Sequence, residues 1–137
     1  MKKTALLNGP LSGHISRMGH GDLLVVADSG LPIPYGEKLI DLAVTPGLPA
    51  LLDVLTVIFT ELQVEKVFIT NEMEQKSPDY YRKLSELLNT KLPDVQVEQI
   101  SHERLKAITR DTRNIAFVRT GEATPFANLI LQAGVTF

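Results

Sequence analysis

The sequence predicts an α/β fold: a three-layer sandwich with a central, mostly parallel or mixed sheet of about six strands flanked by helices. Three observations predict it. Leu23–Ala27 is a continuous apolar run rich in branched side chains, which suits a strand covered on both faces. Further strand-like runs at Val64–Thr70 and Ile115–Arg119 are separated by stretches that carry helix start signals. Residues 95–100 alternate apolar and polar side chains, the period of a half-buried strand near a sheet edge.

Taken in order, the turn Asn8-Gly9-Pro10 introduces a short helix over 11–18, with Leu11, Ile15 and Met18 on one face and Gly19 at its end. The strand Leu23–Ala27 ends at Asp28. The loop from Asp28 to Gly36 has two prolines and two glycines, a composition for an ordered, irregular excursion. Residues 39–44 read as a second strand. Pro49 is placed to open a helix that continues over 50–62, apolar around much of its circumference, so a second copy of the chain is expected to cover part of it. Val64–Thr70 is the next strand. Ser77-Pro78 starts a helix whose inner face is Tyr81, Leu84, Leu87 and Leu88, with the Ser77 hydroxyl as expected cap, and Pro93 closes it. Ser101 caps another helix. Two last strands, Ile115–Arg119 and 128–131, flank a turn-rich segment from Thr120 to Pro125.

With 137 residues, the chain fits one domain, 1–137, large enough to enclose a core. Hydrophobic residues make up 44% and charged residues 22%, which excludes the composition of a disordered chain. A net charge of −2 without a basic stripe argues against nucleic acid as a partner. The absence of cysteine removes disulfides, thiolate metal sites and a cysteine nucleophile, and agrees with a cytoplasmic protein. The apolar stretch after Lys2-Lys3 stops at Asn8, too short for an export signal, and no apolar run suggests a membrane partner. His14, His20 and His102 lack zinc spacing, no phosphate-cradling or dinucleotide loop is present, and the serines lie in no nucleophile elbow. No cofactor is implied.

Five positions carry candidate chemistry. His20 lies between Gly19 and Gly21, which leave its imidazole uncrowded, and histidine exchanges protons near neutral pH. It reads as a general acid or base, or as an exposed loop residue. Asp28 stands at the carboxyl end of a strand, where α/β folds bind ligands, or it caps the amides of Ser29 and Gly30. His102 and Lys106, four apart on a helix, point from one face toward a common ligand or toward solvent. The Asn128 amide can donate and accept together, as sugar hydroxyls require, or simply form a turn.

Taken together, Met18-Gly19-His20-Gly21-Asp22, Asp28-Ser29-Gly30-Leu31-Pro32-Ile33-Pro34, His102-Glu103-Arg104-Leu105-Lys106, Thr120-Gly121-Glu122 and Ala133-Gly134-Val135-Thr136-Phe137 closely resemble the D-ribose pyranases of the ribose/fucose mutarotase family, from end to end. The related fucose enzymes share the Gly-His-Gly-Asp block and a similar ending, but generally lack this proline-rich loop and the His-x-x-x-Lys spacing. The resemblance implies interconversion of the β-pyranose and β-furanose forms of D-ribose, with His20 as proton donor and Asp28, His102 and Lys106 at sugar-contacting positions. Phe126-Ala127-Asn128 stands where the family commonly has Tyr-Ala-Asn. These three are expected substrate contacts, with a phenolic hydrogen bond lost, stacking on a sugar C–H face retained, and main-chain contacts kept. The resemblance also implies a homo-oligomer, a ring-based decamer with sites at subunit interfaces. The alternatives it leaves are a mutarotase for L-fucose or another aldose, and a non-catalytic sugar-binding transport-accessory protein.

Overall fold

The computed structural model describes residues 1–36, 38–111 and 114–137. In chain order the elements are α1 (Gly9–Ile15), β1 (Leu23–Ala27), β2 (Lys38–Asp41), α2 (Leu51–Ile58), β3 (Val64–Thr70), α3 (Asn71–Lys76), α4 (Pro78–Lys91), β4 (Gln96–Ile100), α5 (His102–Asp111), β5 (Ile115–Arg119) and β6 (Leu129–Ala133). They build the expected sandwich. The six strands form one mixed sheet in the order β2-β5-β1-β6-β3-β4. β6 alone runs antiparallel, wedged between β1 and β3, so the carboxyl ends of the other five strands and the amino end of β6 share one rim.

Alternation along each strand sends side chains to two cores. On one face Leu24, Val26, Val118, Leu129 and Leu131 pack against α1, α2, α3 and α4. On the other, Val25, Phe117 and Ile130 pack against Leu105 of α5 and Leu31 of the loop after β1. Every residue of β1 is buried, which is why its sequence is apolar throughout. β4, by contrast, is the sheet edge that its alternating sequence predicts.

Several boundaries differ from the sequence reading, each for a local reason. α1 begins earlier, at Gly9, because the Asn8 side chain caps it by accepting the Leu11 amide at 2.9 Å. β2 stops at Asp41 rather than continuing to residue 44. Arg119, its register partner at the end of β5, grips the Asp41 carboxylate, and the Ala43 amide also turns in toward that carboxylate. Pro49 does not open α2, which starts at Leu51 with Ala50 still extended. The Pro49 carbonyl accepts the Gly121 amide at 2.9 Å, holding that residue in the turn before the helix. Ser77 precedes α4 as expected, but its hydroxyl donates to the Pro125 carbonyl instead of capping the helix. α3 was not anticipated: its sequence Asn-Glu-Met-Glu-Gln-Lys contains one apolar residue, the buried Met73, too few to show a period.

Candidate active site at the shared strand rim

The rim where five strands end and β6 begins holds an open cavity of ≈ 230 Å³, lined by Asp28, Leu31, His102, Lys106, Phe126 and Asn128 among others. Its size is below the roughly 300–1,000 Å³ typical of drug-sized pockets and fits a monosaccharide. Segments a hundred residues apart meet here because β1 and β6 are neighbours. The Asp28 amide donates to Asn128 Oδ1 and the Asn128 amide returns a bond to Asp28 Oδ2, both at 2.9 Å. Asp28 Oδ1 accepts the Gly30 amide at 2.9 Å. The turn reading of Asp28 holds for Gly30, while the Ser29 amide donates to the Glu122 carbonyl, and the same carboxylate lines the cavity. Asn128 is 1% exposed and gives both polar atoms to Asp28, which leaves one amide hydrogen for a ligand.

His102 and Lys106 project from the first turns of α5 into the same cavity, as their spacing predicts. Ser101 caps that helix by accepting the Arg104 amide, and Glu72 of α3 accepts the His102 amide at 2.9 Å. Lys106 Nζ lies 3.1 Å from the exposed Glu103. His102 Nδ1 is buried and has no hydrogen-bond partner among the described residues. Its ring meets the Phe126 ring edge-on at 5.3 Å.

Phe126 has φ +62°, the left-handed region that a bulky side chain rarely adopts. Its surroundings over-determine that conformation. The Phe126 carbonyl accepts the Asn128 amide at 2.8 Å and the Thr70 hydroxyl at 3.3 Å, while Ser77 holds the Pro125 carbonyl. Strain held by many contacts and located beside a cavity is characteristic of ligand sites. Ala127 does not line the cavity; its side chain is fully buried in the first core and separates Phe126 from Asn128.

Behind the cavity lies Glu122, a residue whose role was not legible in the sequence. Its carboxylate is almost fully buried and accepts the amides of Ala123 and Thr124, the Thr124 hydroxyl and the Tyr80 hydroxyl, with the Leu51 amide at 3.4 Å. One side chain thus ties α2, α4 and the segment leading to Phe126. Burial pushes the Glu122 pKa up, but the Thr124 and Tyr80 donors outweigh it and leave it below the ordinary value. Burial, reinforced by the Glu122 charge, pushes the Tyr80 phenol far above its ordinary value.

These shifts act on stability in opposite directions of pH. A depressed carboxylate stabilises fully above its unfolded value and loses that contribution as pH falls through the folded one. A raised phenol stabilises fully below its unfolded value of 10.0 and loses the contribution as pH rises beyond it. Urea-unfolding midpoints of the wild type should therefore drop both below about pH 4.5 and above about pH 10. Tyr80→Phe should cost about 1–3 kcal/mol at neutral pH and flatten the alkaline drop. An alkaline profile parallel to that of the wild type would contradict the assignment.

His20 is elsewhere. It precedes β1, whereas Asp28 follows it, so the five-residue strand, roughly 16 Å long, separates them within one chain. His20 lines a second cavity, of ≈ 340 Å³, with Met18, Leu62, Val135 and Phe137. Its side chain is 60% exposed, and its Nε2 lies 3.0 Å from Glu65 Oε2. A single chain therefore brings together Asp28, His102, Lys106, Phe126 and Asn128, and holds His20 at the opposite end of the sheet.

The profile of the RbsD / FucU transport protein family matches residues 1–136. A D-ribose pyranase of Symbiobacterium thermophilum is 52% identical over 137 residues, covering all of both chains. One of Thermoanaerobacter sp. strain X514 is likewise 52% identical, with full coverage of both. Among solved structures, Bacillus subtilis RbsD complexed with D-ribose superposes with a TM-score of 0.87 at 42% identity, covering 100% of each chain. The fucose mutarotase of Streptococcus pneumoniae in complex with L-fucose has a TM-score of 0.76 at 24% identity, also over all of both chains, and shares the fold.

Proposed function

The chain belongs to the RbsD / FucU transport protein family, and from that membership we propose that it is a cytoplasmic isomerase with D-ribose pyranase activity, interconverting the β-pyranose and β-furanose forms of D-ribose. The observation that carries this reading is the convergence of Asp28, His102, Lys106, Phe126 and Asn128 on one monosaccharide-sized cavity. Relatives named D-ribose pyranase are similar over the full length, and a similar protein has been solved with D-ribose bound.

The chemistry is proton transfer. The anomeric hydroxyl loses a proton, the bond from C1 to the ring oxygen breaks, and that oxygen gains a proton, which gives the open-chain aldehyde. A different hydroxyl then adds to C1, losing its proton while the carbonyl oxygen gains one. Balance needs no redox step. In this reading His20 delivers the proton to the ring oxygen, Asp28 positions or polarises the sugar, and Lys106, Phe126 and Asn128 hold it, with Ala127 contributing through its main chain alone. The buried Nδ1 of His102 is satisfied by a sugar hydroxyl.

His20 reaches this cavity from a second copy of the chain. The separation of His20 from Asp28 by the length of β1 supports a site shared between subunits, and so does the apolar surface at Val44, Leu48, Val135 and Phe137. A ring-based decamer satisfies the requirement, because head-to-tail contacts in a closed ring give every cavity a neighbouring His20.

Saturation-transfer NMR on equilibrated D-ribose tests the activity. Catalytic amounts of protein should increase exchange between pyranose and furanose signals by at least about tenfold without altering their populations. Faster exchange of L-fucose anomers than of ribose forms would move the assignment to the fucose mutarotases. Binding without any gain in exchange would leave a sugar-binding accessory protein.

A further inference from the structure

The end of the sheet that carries His20 contains a second built feature. Between Val64 and Lys66 the pairing of β3 with β6 slips: Val64 stands opposite Ala133 and Lys66 opposite Gln132, leaving Glu65 as an extra residue without a partner. Bulges of this kind occur beside active sites, where they re-aim a side chain. Here the bulge turns Glu65 toward His20. One carboxylate oxygen, Oε2, meets His20 Nε2 at 3.0 Å, and the other, Oε1, accepts the Gln132 side-chain amide at 2.7 Å. Gly134 leaves the carboxylate its space, since a Cβ there would stand 3.0 Å from Glu65 Cβ and 3.5 Å from Oε2.

The other partner is fixed as firmly. The Gly21 amide donates to the Ala133 carbonyl and the Ala133 amide to the Asp22 carbonyl, both at 2.9 Å, so the loop bearing His20 is sewn to the end of β6. Asp22 Oδ2 accepts the Gly19 amide at 2.8 Å, closing the turn around the histidine. Both ends of the Glu65–His20 contact are thus anchored on β6.

We infer that Glu65 is a positioning residue for His20, locking Nε2 as the nitrogen that keeps its proton and leaving Nδ1 to exchange a proton with the sugar. An ionised carboxylate can only accept, so Nε2 must donate to it. A neutral imidazole in that state offers its lone pair at Nδ1, and a protonated one offers an N–H there. Proton delivery and recovery then use one atom at one orientation, and the ring does not have to flip between turnovers. The inference rests on the reading of His20 as the proton donor, but the tautomer is measurable without turnover.

The test combines ¹⁵N NMR of the imidazole in the intact oligomer with the ribose exchange assay. In the wild type at neutral pH the Nε2–H tautomer of His20 should dominate. Glu65→Ala should shift the tautomer balance and lower kcat about tenfold with KM changed less than about twofold, a fraction of the roughly 10²–10⁴ that acid–base catalysis supplies. Glu65→Gln retains an accepting oxygen and should restore most of both signals. Gln132→Ala, which frees the carboxylate from its brace, should fall between. An Nδ1–H tautomer in the wild type, or kcat and tautomer unchanged in Glu65→Ala, would overturn the inference. A wild type inactive toward ribose but with the Nε2–H tautomer would instead count against the proposed activity and leave the pairing standing.

Discussion

Replacing His20 with alanine should remove roughly 10²–10⁴ of the acceleration of pyranose–furanose exchange, the share of a reaction barrier that a positioned acid or base provides. The fold should be preserved, because the side chain is 60% exposed and belongs to neither core. D-ribose binding should weaken far less than turnover, since the cavity residues of the same chain are untouched. Asp28→Asn should also be inactive for a different reason: an amide in place of the carboxylate disturbs the contacts to Gly30 and Asn128 that shape the cavity. The informative experiment combines the two. If each site takes its cavity from one copy and His20 from the next, co-expressed His20→Ala and Asp28→Asn chains should regain about a quarter of wild-type activity, the fraction of sites pairing two intact contributions at random. Mixed oligomers as inactive as their parents would rule out the shared site. Full retention of activity by His20→Ala alone would remove the histidine from the mechanism.

The same geometry explains what could be read from the sequence and what could not. β1, β4 and the cap at Ser101 were legible because their causes are local: burial on both faces, alternation at an edge, a hydroxyl before a helix. The pairing of His102 with Lys106 was legible because helical spacing alone places them together. Asp28 and Asn128 were legible one at a time, but their reciprocal bonds span a hundred positions and depend on β6 inserting antiparallel beside β1, which no local pattern specifies. Asn128 accordingly gives Asp28 half of its side-chain bonding capacity, where the sequence offered hydroxyl recognition or a turn. Glu122 and Glu65 escaped for the same reason. Each looks like a surface glutamate until residues from distant elements close around it, Tyr80 and Leu51 in one case, His20 and Gln132 in the other. The opposition of His20 and Asp28 across the sheet was also hidden, because two polar residues flanking a strand look close in sequence and lie at its two ends in space.

Gly121→Ala should be the most damaging single methyl that this chain can receive near its site. A Cβ at Gly121 would stand 2.2 Å from the Leu48 carbonyl oxygen, 2.4 Å from its carbonyl carbon and 2.6 Å from its nitrogen. All three are backbone atoms, so no rotamer change relieves the overlap. The two segments must separate, which loses the bond from the Gly47 amide to the Gly121 carbonyl and from the Gly121 amide to the Pro49 carbonyl. Glu122 is the next residue, and displacing it loosens the donors that converge on its carboxylate and the segment that presents Phe126 and Asn128. The expected cost is about 4 kcal/mol or more, against the roughly 5–15 kcal/mol that stabilises a domain. Thermal unfolding should fall by on the order of 10 °C. Gly47→Ala is the matched control. Gly47 faces Gly121 across the same turn and has φ +83°, but a Cβ there meets nothing within 4 Å, so only the conformational cost of about 1–2 kcal/mol applies. If the two variants unfold at the same temperature, close backbone approach is not what requires glycine at 121. If Gly121→Ala remains folded at low temperature yet loses ribose affinity, the loop that it displaces is the one that shapes the sugar site.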